Sequence, residues 1–331
     1  MKRVCVLGAG AWGTAFATVL VHNGITVNLW SYEKDLAQHL KETHENKCYL
    51  PGVVLDEKIH ATDSLSEAID GVEWIFEAVP VPHLRAVLDE IKPYHKLFQR
   101  FIVLSKGIEQ KTCLLPTTII QEVLGDTIDV AVIAGPSFAR ELTEKQLTGV
   151  VVASNNQKIN EELKDLLENE YFKVFMSDDV TGVQVCSALK NVIAVGVGLL
   201  DGAGYKDNTK AFFMVQALRE VKQIMHIFKS TGMQRNATTL EGLAGIGDLV
   251  LTAFGKSSKN LLFGALIGQG LSLEQAQQKV TCLPEGVFTL VTLKEIVHKH
   301  KTLQIPVLLA LCGCIHEKKS ISYLLDLLVC D

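Results

Sequence analysis

The sequence has no uncharged apolar run of transmembrane length; the apolar runs 192–200 and 307–315 are nine residues each. It also has no excess of positive charge, because 32 Lys and Arg residues stand against 37 Asp and Glu, a net charge of −5. We therefore expect neither a membrane span nor a nucleic-acid partner, and an anion would bind in a local pocket. With 48% hydrophobic and 21% charged residues the composition is that of a globular protein, and the length predicts two domains.

The sequence also lacks two cysteine pairs at matching spacing, as a metal site would need, and it has no internal repeat. The eight cysteines are scattered, and several lie in apolar segments, which indicates reduced thiols in a cytoplasmic protein. Cys312-Gly-Cys314 has no second pair at a matching distance, so we expect core packing and no metal. Three glycines interrupt the apolar run that follows Lys2 and Arg3, which argues against a secretory signal.

The first 20 residues predict a strand, a glycine turn and a helix. The apolar segment Arg3–Leu7 is followed by Gly8-Ala-Gly10-Ala-Trp-Gly13 and then by small and apolar residues at helical spacing. In this pattern Gly8 permits a tight turn, Gly10 lets a pyrophosphate approach the backbone, and Gly13 lets helix and strand pack closely. The bare pattern also arises by chance, but its position after an N-terminal strand favours a dinucleotide site.

Strand and helix patterns alternate over residues 1–177 and predict a doubly wound α/β sheet. Residues 35–60 are typical of a helix and a loop, and Ser64–Ile69 of a short helix. The further predicted strands are 26–30, 74–79, 101–105, 130–134, 149–153 and 172–176, with helices at 83–92, 113–124 and 157–169.

Polar groups follow several of these strands directly, as Lys106-Gly107 and Gly135-Pro-Ser137 do, where ligands bind in such sheets. At the end of the second strand, an acid would bind the ribose of NAD and a base the extra phosphate of NADP. Ser31-Tyr-Glu-Lys34 offers both signs, so the cofactor stays open. Glu77 is a lone charge in its strand, and we expect it near an exposed strand end, since buried unpaired acids are rare.

From residue 180 onward helical periodicity replaces the strands. The segment 183–200 carries one charged residue, Lys190. A membrane span fits poorly with Gln184 and Asn191 beside it, and a lysine in mid-helix cannot extend to solvent. A helix that is apolar all round is buried, and burial lowers the pKa of a lysine, which suits proton transfer at neutral pH.

Two polar positions in the second half have both structural and functional interpretations. Asp248 stands alone among apolar neighbours, either as the N-cap of a helix or as an acid that orients Lys190; the two are compatible. Ser257 or Ser258 at a helix start, with Lys259 adding charge, would direct N–H groups at an anion, or else form an ordinary solvated cap.

An ordered set of motifs covers nearly the whole chain and resembles the bacterial type of NAD(P)-dependent glycerol-3-phosphate dehydrogenase. The motifs are Gly8-Ala-Gly-Ala-Trp-Gly-Thr-Ala15, Lys106-Gly107, Gly135-Pro-Ser-Phe-Ala139, Ala188-Leu-Lys-Asn191, Gly242-Leu-Ala-Gly-Ile-Gly-Asp-Leu249, Ser258-Lys-Asn260 and Glu285-Gly286. Together with the change from strands to helical periodicity at residue 180, the resemblance predicts a Rossmann domain over residues 1–179 and an all-α substrate domain over 180–331.

The resemblance also implies an activity. Dihydroxyacetone phosphate and sn-glycerol 3-phosphate would be interconverted by hydride transfer with NAD or NADP, in a cytoplasmic homodimer that supplies phospholipid synthesis. Lys190 matches the acid/base lysine, Lys106 a residue shared by cofactor and substrate, and Asp248 a substrate contact beside the lysine. The cofactor positions are Gly8, Gly10, Ala11, Trp12, Gly13, Tyr32, Lys106, Ala139, Lys259, Leu283 and Glu285. The substrate positions are Lys106, Gly135, Ser137, Lys190, Asp248, Ser258, Lys259 and Asn260.

The chain departs from the family pattern at several positions. Lys259 and Leu261-Leu262 stand where the family usually has arginines, Val215-Gln-Ala217 replaces Thr-Arg-Gly, and Glu77 replaces an uncharged residue. Lysine keeps the charge but loses the two-pronged geometry that matches a phosphate. We therefore predict weaker binding of dihydroxyacetone phosphate than is usual for the family.

Two alternatives remain. Another β-hydroxyacid-type dehydrogenase, such as a 6-phosphogluconate or hydroxyacyl-CoA enzyme, is disfavoured by Ser258-Lys-Asn260 and Gly245-Ile-Gly-Asp248. A nucleotide-binding sensor or scaffold without turnover is favoured by Gln216, Lys259 and Leu261. Retention of Lys106, Lys190 and Asp248 argues against it.

Overall fold

The computed structural model describes residues 2–228, 238–255, 257–280 and 284–329. The chain divides into two units, Met1–Ser105 with Pro116–Val180, and Lys106–Leu115 with Thr181–Asp331. The sequence placed residues 106–115 in the first domain, and that assignment is wrong. The reason is that Ile108, Cys113 and Leu115 are buried in the hydrophobic core of the helical unit.

Within the described residues, the first unit holds one sheet of eight strands in the order β3-β2-β1-β4-β5-β6-β7-β8. The strands are β1 (Arg3–Leu7), β2 (Thr26–Trp30), β3 (Ile59–Thr62), β4 (Trp74–Glu77), β5 (Arg100–Val103), β6 (Val130–Ala134), β7 (Thr148–Ala153) and β8 (Phe172–Ser177). All neighbours are parallel except β6 and β7, which are antiparallel. The predicted doubly wound α/β sheet is confirmed. Strand β3 was missed because it is a four-residue edge strand with an exposed histidine, His60.

Helices connect the strands of this unit. They are α1 (Ala11–His22), α2 (Lys34–Thr43), α3 (Leu65–Ile69), α4 (Val81–Ile91), α5 (Pro116–Leu124), α6 (Ala139–Thr143) and α7 (Gln157–Leu167). The predicted helix 113–124 begins later, at Pro116, because Cys113 has a positive φ of 62° that a helix does not accommodate. Proline suits the first position of a helix, since its missing N–H would have no partner there.

Glu77, the last residue of β4, is fully buried, so the expected exposed position is wrong. Its Oε1 accepts the backbone N–H of Val79 at 2.6 Å, and its Oε2 accepts the hydroxyl of Ser105 at 2.6 Å. Hydrogen bonds to both oxygens compensate for burial of the carboxyl group. Glu77 thereby fastens the segment after β4 to the segment after β5, immediately before Lys106.

In the described part of the second unit every element is helical, which confirms the all-α prediction. The elements are α8 (Val180–Gly202), α9 (Asp207–Phe228), α10 (Thr238–Glu241), a π-helical turn (Leu243–Gly247), α11 (Asp248–Phe254), α12 (Lys259–Gly268), α13 (Leu273–Gln278), α14 (Glu285–Lys299), α15 (Pro306–His316) and α16 (Ile321–Leu328).

Helix α8 is the centre of this unit. Among the described helices it alone is long and apolar enough to cross a membrane, and its most apolar 18-residue window is entirely buried inside the protein. Close backbone contact with α12 accounts for part of that burial, since a Cβ on Gly264 would lie 2.0 Å from the Val195 carbonyl oxygen. Cys312 and Cys314 of α15 lie in the same core, as the sequence predicted.

Candidate active site

The glycine turn between β1 and α1 is shaped by contacts that leave no room for a side chain at two of its three glycines. Gly8 has a φ of 114°, and a Cβ there would lie 2.8 Å from the Ala78 carbonyl oxygen. A Cβ on Gly13 would lie 2.1 Å from the Gly8 carbonyl oxygen. A Cβ on Gly10 would meet no atom of the described residues within 4 Å, so this position opens onto free space at the N-terminus of α1. The turn thus fits a dinucleotide pyrophosphate, which needs backbone N–H groups and an unobstructed approach.

A second loop of the first unit is hydrogen-bonded to this turn. The indole Nε1 of Trp12 donates to the Ser137 carbonyl oxygen at 2.9 Å, and the Ser137 hydroxyl donates to the Gly135 carbonyl oxygen at 2.9 Å. Gly135 is required by its backbone, with a φ of 150° and a Cβ position only 2.8 Å from the Gly149 carbonyl oxygen. Ala139 begins α6, which packs against α1. The first unit therefore brings Trp12, Gly135, Ser137 and Ala139 to one place.

In the second unit, Lys190 occupies the middle of α8 and is 7% exposed. Its Nζ donates hydrogen bonds to the Asp248 carboxylate and to the Thr252 hydroxyl, the latter at 3.0 Å. Burial, opposed by the Asp248 carboxylate and reinforced by the Lys106 charge, lowers the pKa of the Lys190 ammonium to about 8. An amine with that pKa can give or take a proton near neutral pH.

Asp248 is positioned by the glycine-rich segment before it. Residues Leu243–Gly247 form a π-helical turn, a rare element that often occurs at functional sites. A Cβ on Gly245 would lie 2.0 Å from the Leu240 carbonyl oxygen, so the turn depends on glycine. Gly247, not Asp248, is the N-cap of α11, so the capping interpretation of Asp248 is wrong. Asp248 is 1% exposed, and its Oδ2 has no hydrogen-bond partner among the described residues, which leaves one buried acceptor beside the lysine.

A chain of amides and a carboxylate follows Lys190 along the second unit. The Asn191 amide donates to Glu285 Oε2 at 3.1 Å and accepts from the Asn260 amide at 3.1 Å. Asn260 Oδ1 in turn accepts the backbone N–H of Gly286 at 3.1 Å. These contacts join α8, α12 and α14 around the lysine-bearing turn.

The same region concentrates charge. Burial raises the pKa of the Glu285 carboxyl group above its ordinary value, and three ammonium charges oppose this effect. They belong to Lys106, Lys190 and Lys259. An anionic substrate would experience this positive potential.

Ser258 is the N-cap of α12, and its hydroxyl accepts the backbone N–H of Leu261 at 3.2 Å. It is 4% exposed, so the ordinary solvated cap is not what the structure shows. Lys259 and Asn260 are the first two residues of the helix, with Lys259 exposed.

Comparison with known proteins shows which family has this combination of domains. The models of the N-terminal and C-terminal domains of NAD-dependent glycerol-3-phosphate dehydrogenase match residues 3–160 and 179–326. The chain belongs to this family. The glycerol-3-phosphate dehydrogenase [NAD(P)+] of Bacillus velezensis is 39% identical over 303 residues, 91% of this chain and 86% of that protein. That of Bacillus subtilis strain 168 is 38% identical over 87% of this chain and 83% of that protein.

Solved structures agree with this assignment. The crystal structure of glycerol-3-phosphate dehydrogenase from Coxiella burnetii has a TM-score of 0.93 and 32% identity, and the match covers 99% of each chain. A D-mandelate dehydrogenase with a TM-score of 0.64 and 17% identity shares the fold alone.

Within this family framework, the structure places most predicted site residues in two groups, one in each unit. Sequence reasoning missed Thr252, which lies one helical turn after Asp248 and so shares its face of α11. It also missed Asn46, which donates to the Ala9 carbonyl oxygen at 2.8 Å and braces the glycine turn. No local pattern marks either residue. Leu283 lies outside the described residues.

Proposed function

We propose that this chain interconverts dihydroxyacetone phosphate and sn-glycerol 3-phosphate with a nicotinamide cofactor. The observation that carries the proposal is Lys190, a buried ammonium held by Asp248 and Thr252 with a pKa lowered to about 8. A carbonyl group that receives a hydride needs a proton on its oxygen, and this lysine is suited to supply it.

Each unit would contribute a separate part of the chemistry. When bound, the cofactor supplies the hydride that adds to the carbonyl carbon of the triose phosphate. The Gly8–Gly13 turn and the N-terminus of α1 would hold its pyrophosphate, with Trp12 and Ser137 beside them. In the second unit, Lys190 Nζ would give its proton to the carbonyl oxygen and become a neutral amine, and in the reverse direction that amine would take the alcohol proton.

The remaining residues of the second unit would bind the substrate. The Oδ2 of Asp248, which has no partner in the described part of the chain, is a buried acceptor for which a hydroxyl group of the triose would be a donor. Lys259 and Asn260 at the start of α12 would bind the phosphate, aided by Lys106. The Lys259 ammonium cannot make the two parallel hydrogen bonds that an arginine guanidinium makes, so it would bind the phosphate more weakly than an arginine would.

We further propose a homodimer in the cytoplasm, where the product would serve phospholipid synthesis. Exposed apolar side chains on the helical unit, including Phe212, Val215, Phe254 and Leu262, support association of two copies. Light scattering on the purified chain would show twice the chain mass if this is right and the chain mass if it is wrong.

The decisive experiment follows nicotinamide absorbance with the full chain, dihydroxyacetone phosphate and either NADH or NADPH. We expect oxidation that requires the triose phosphate and is absent in Lys190→Ala. Lys190→Arg is the matched control, because it keeps the charge but cannot release a proton near neutral pH; it should also be inactive. Cofactor binding without turnover in the unmodified chain would instead favour the sensor or scaffold.

A further inference from the structure

The carboxyl end of β2 lies directly beside the glycine turn. The backbone N–H of Gly8 donates to the Trp30 carbonyl oxygen at 3.0 Å. The N–H of Ser31, the residue after Trp30, donates to the Thr62 carbonyl oxygen of the neighbouring strand β3 at 2.9 Å. Tyr32 follows with 78% of its surface exposed, and Glu33 is exposed as well. The residues just after β2 therefore follow a strand end that is hydrogen-bonded to the turn proposed to hold the pyrophosphate.

The Glu33 carboxylate is fixed there by two hydroxyl groups. The Tyr49 hydroxyl donates to Oε1 at 2.8 Å, and the Ser31 hydroxyl donates to Oε2 at 3.2 Å. Tyr49 is itself tied to the glycine turn, because its N–H donates to Asn46 Oδ1 at 3.0 Å and the Asn46 amide donates to the Ala9 carbonyl oxygen at 2.8 Å. One short segment thus braces the turn and holds the carboxylate at a set distance from it.

The chemistry of a carboxylate at this point differs for the two nicotinamide cofactors. A carboxylate oxygen has about two lone-pair sites, and each oxygen of Glu33 uses one, so each can still accept a hydrogen bond. The 2′-hydroxyl of NADH has a proton to donate to such an oxygen. The 2′-phosphate of NADPH carries about −1.5 to −2 charges near neutral pH and is repelled.

We propose that Glu33, oriented by Tyr49 and Ser31, makes this chain select NADH over NADPH. The inference rests on the proposed function and names the cofactor of that same site. Repulsion between a carboxylate and a phosphate a few ångströms apart in a solvated position predicts a preference on the order of tenfold in affinity.

Lys34 is the charge that would favour the opposite choice. It is the first residue of α2, with Glu33 as the N-cap of that helix. If the ammonium decided the cofactor, the extra phosphate would be attracted and NADPH would bind more tightly. Lys34→Ala is therefore the matched control for a change at Glu33.

The test is calorimetric titration of the full chain with NADH and with NADPH, without triose phosphate. We expect tighter binding of NADH. In Glu33→Gln, which keeps an oxygen to accept the Tyr49 hydroxyl but removes the charge, the affinity ratio should fall toward one, mainly through tighter NADPH binding. In Lys34→Ala the preference for NADH should persist.

Equal or tighter binding of NADPH by the unmodified chain would overturn the proposal, as would an unchanged ratio in Glu33→Gln. A chain that prefers NADH but does not reduce dihydroxyacetone phosphate would support this inference while the proposed activity fails. A chain that binds both cofactors equally, and reduces dihydroxyacetone phosphate equally well with either, would support the proposed activity and overturn the inference about Glu33.

Discussion

Replacing Asp248 by asparagine should move the pH dependence of the reaction while leaving the lysine in place. Asparagine keeps an oxygen that can accept from Lys190 Nζ, but it removes the charge that opposes the effect of burial on the lysine pKa. Hydrogen bonds to charged groups contribute about 1.5–3 kcal/mol. One pKa unit corresponds to about 1.36 kcal/mol. A neutral hydrogen bond contributes about 0.5–1.5 kcal/mol, so replacing the charged acceptor by a neutral one should move the lysine titration to lower pH by about 1 unit.

The direction of the change in rate depends on the direction of the reaction. Reduction needs the protonated lysine, so it proceeds below the lysine pKa and falls as pH rises through it. With a pKa of about 8, roughly nine-tenths of the lysine is protonated at pH 7 in the unmodified chain. In Asp248→Asn that fraction should drop to about half. Oxidation needs the neutral amine, so its rising limb should also appear at lower pH.

The measurement is initial rate against pH in both directions, at saturating substrate, followed by nicotinamide absorbance. Thr252→Val is the matched control, since it removes a neutral hydrogen-bond partner of the same ammonium and should move the titration much less. Circular dichroism should show that both variants are folded. A profile of Asp248→Asn with unchanged inflections and only a lower rate would refute the electrostatic argument and leave Asp248 as an orienting group.

Three further predictions concern the cofactor turn, the phosphate and the buried acid. Gly10→Ala should weaken NADH binding without lowering the melting temperature, because the new Cβ meets no described atom within 4 Å, whereas Gly13→Ala should destabilise the fold. Cofactor titration and thermal melts distinguish the two variants, and equal effects would contradict the reasoning. Lys259→Arg should lower the KM for dihydroxyacetone phosphate and Lys259→Ala should raise it. A KM at ordinary family levels together with a harmless Lys259→Ala would contradict the prediction that the lysine makes phosphate binding weak. Glu77→Val should lower the melting temperature, because it removes one buried and one partly buried hydrogen bond, about 1–3 kcal/mol each, while Glu77→Gln should have a smaller effect. An unchanged melting temperature of Glu77→Val would refute this.

Lys190 and Asp248 could be predicted from sequence because each is a lone charge among apolar residues, and a charge in that setting needs a partner or a reaction. Glu77 follows the same logic but was placed wrongly. Its partners are a backbone N–H and the Ser105 hydroxyl, and nothing in a linear sequence shows that the ends of two strands meet. Thr252 was missed for a related reason. Threonine is common in helices, and only the observed contact with Lys190 Nζ distinguishes this one.

Hydrophobic periodicity does not decide which of the two units the segment 106–115 belongs to. Its buried residues, Ile108, Cys113 and Leu115, would suit the core of either unit, and the sequence joins the segment to β5. The structure packs it with the helices instead, where the Thr292 hydroxyl donates to the Ile108 carbonyl oxygen and Lys299 Nζ donates to the Lys111 carbonyl oxygen. Lys106 is for this reason a residue of the same unit as Lys190, close enough for its charge to lower the pKa of that lysine.

The apolar surroundings of α8 are the main reason why the pKa of Lys190 is lowered. Desolvation is the largest cause of the lowered lysine pKa, and it comes from apolar neighbours such as Ile193, Val221 and Leu249, which line a small cavity beside the ammonium. With water in that space the lysine would return toward its ordinary pKa and would hold its proton throughout the neutral range. A helix that looks like a membrane span by composition is therefore what a buried acid/base lysine requires, because its apolar surroundings, as much as Asp248, set the pH at which the proton moves.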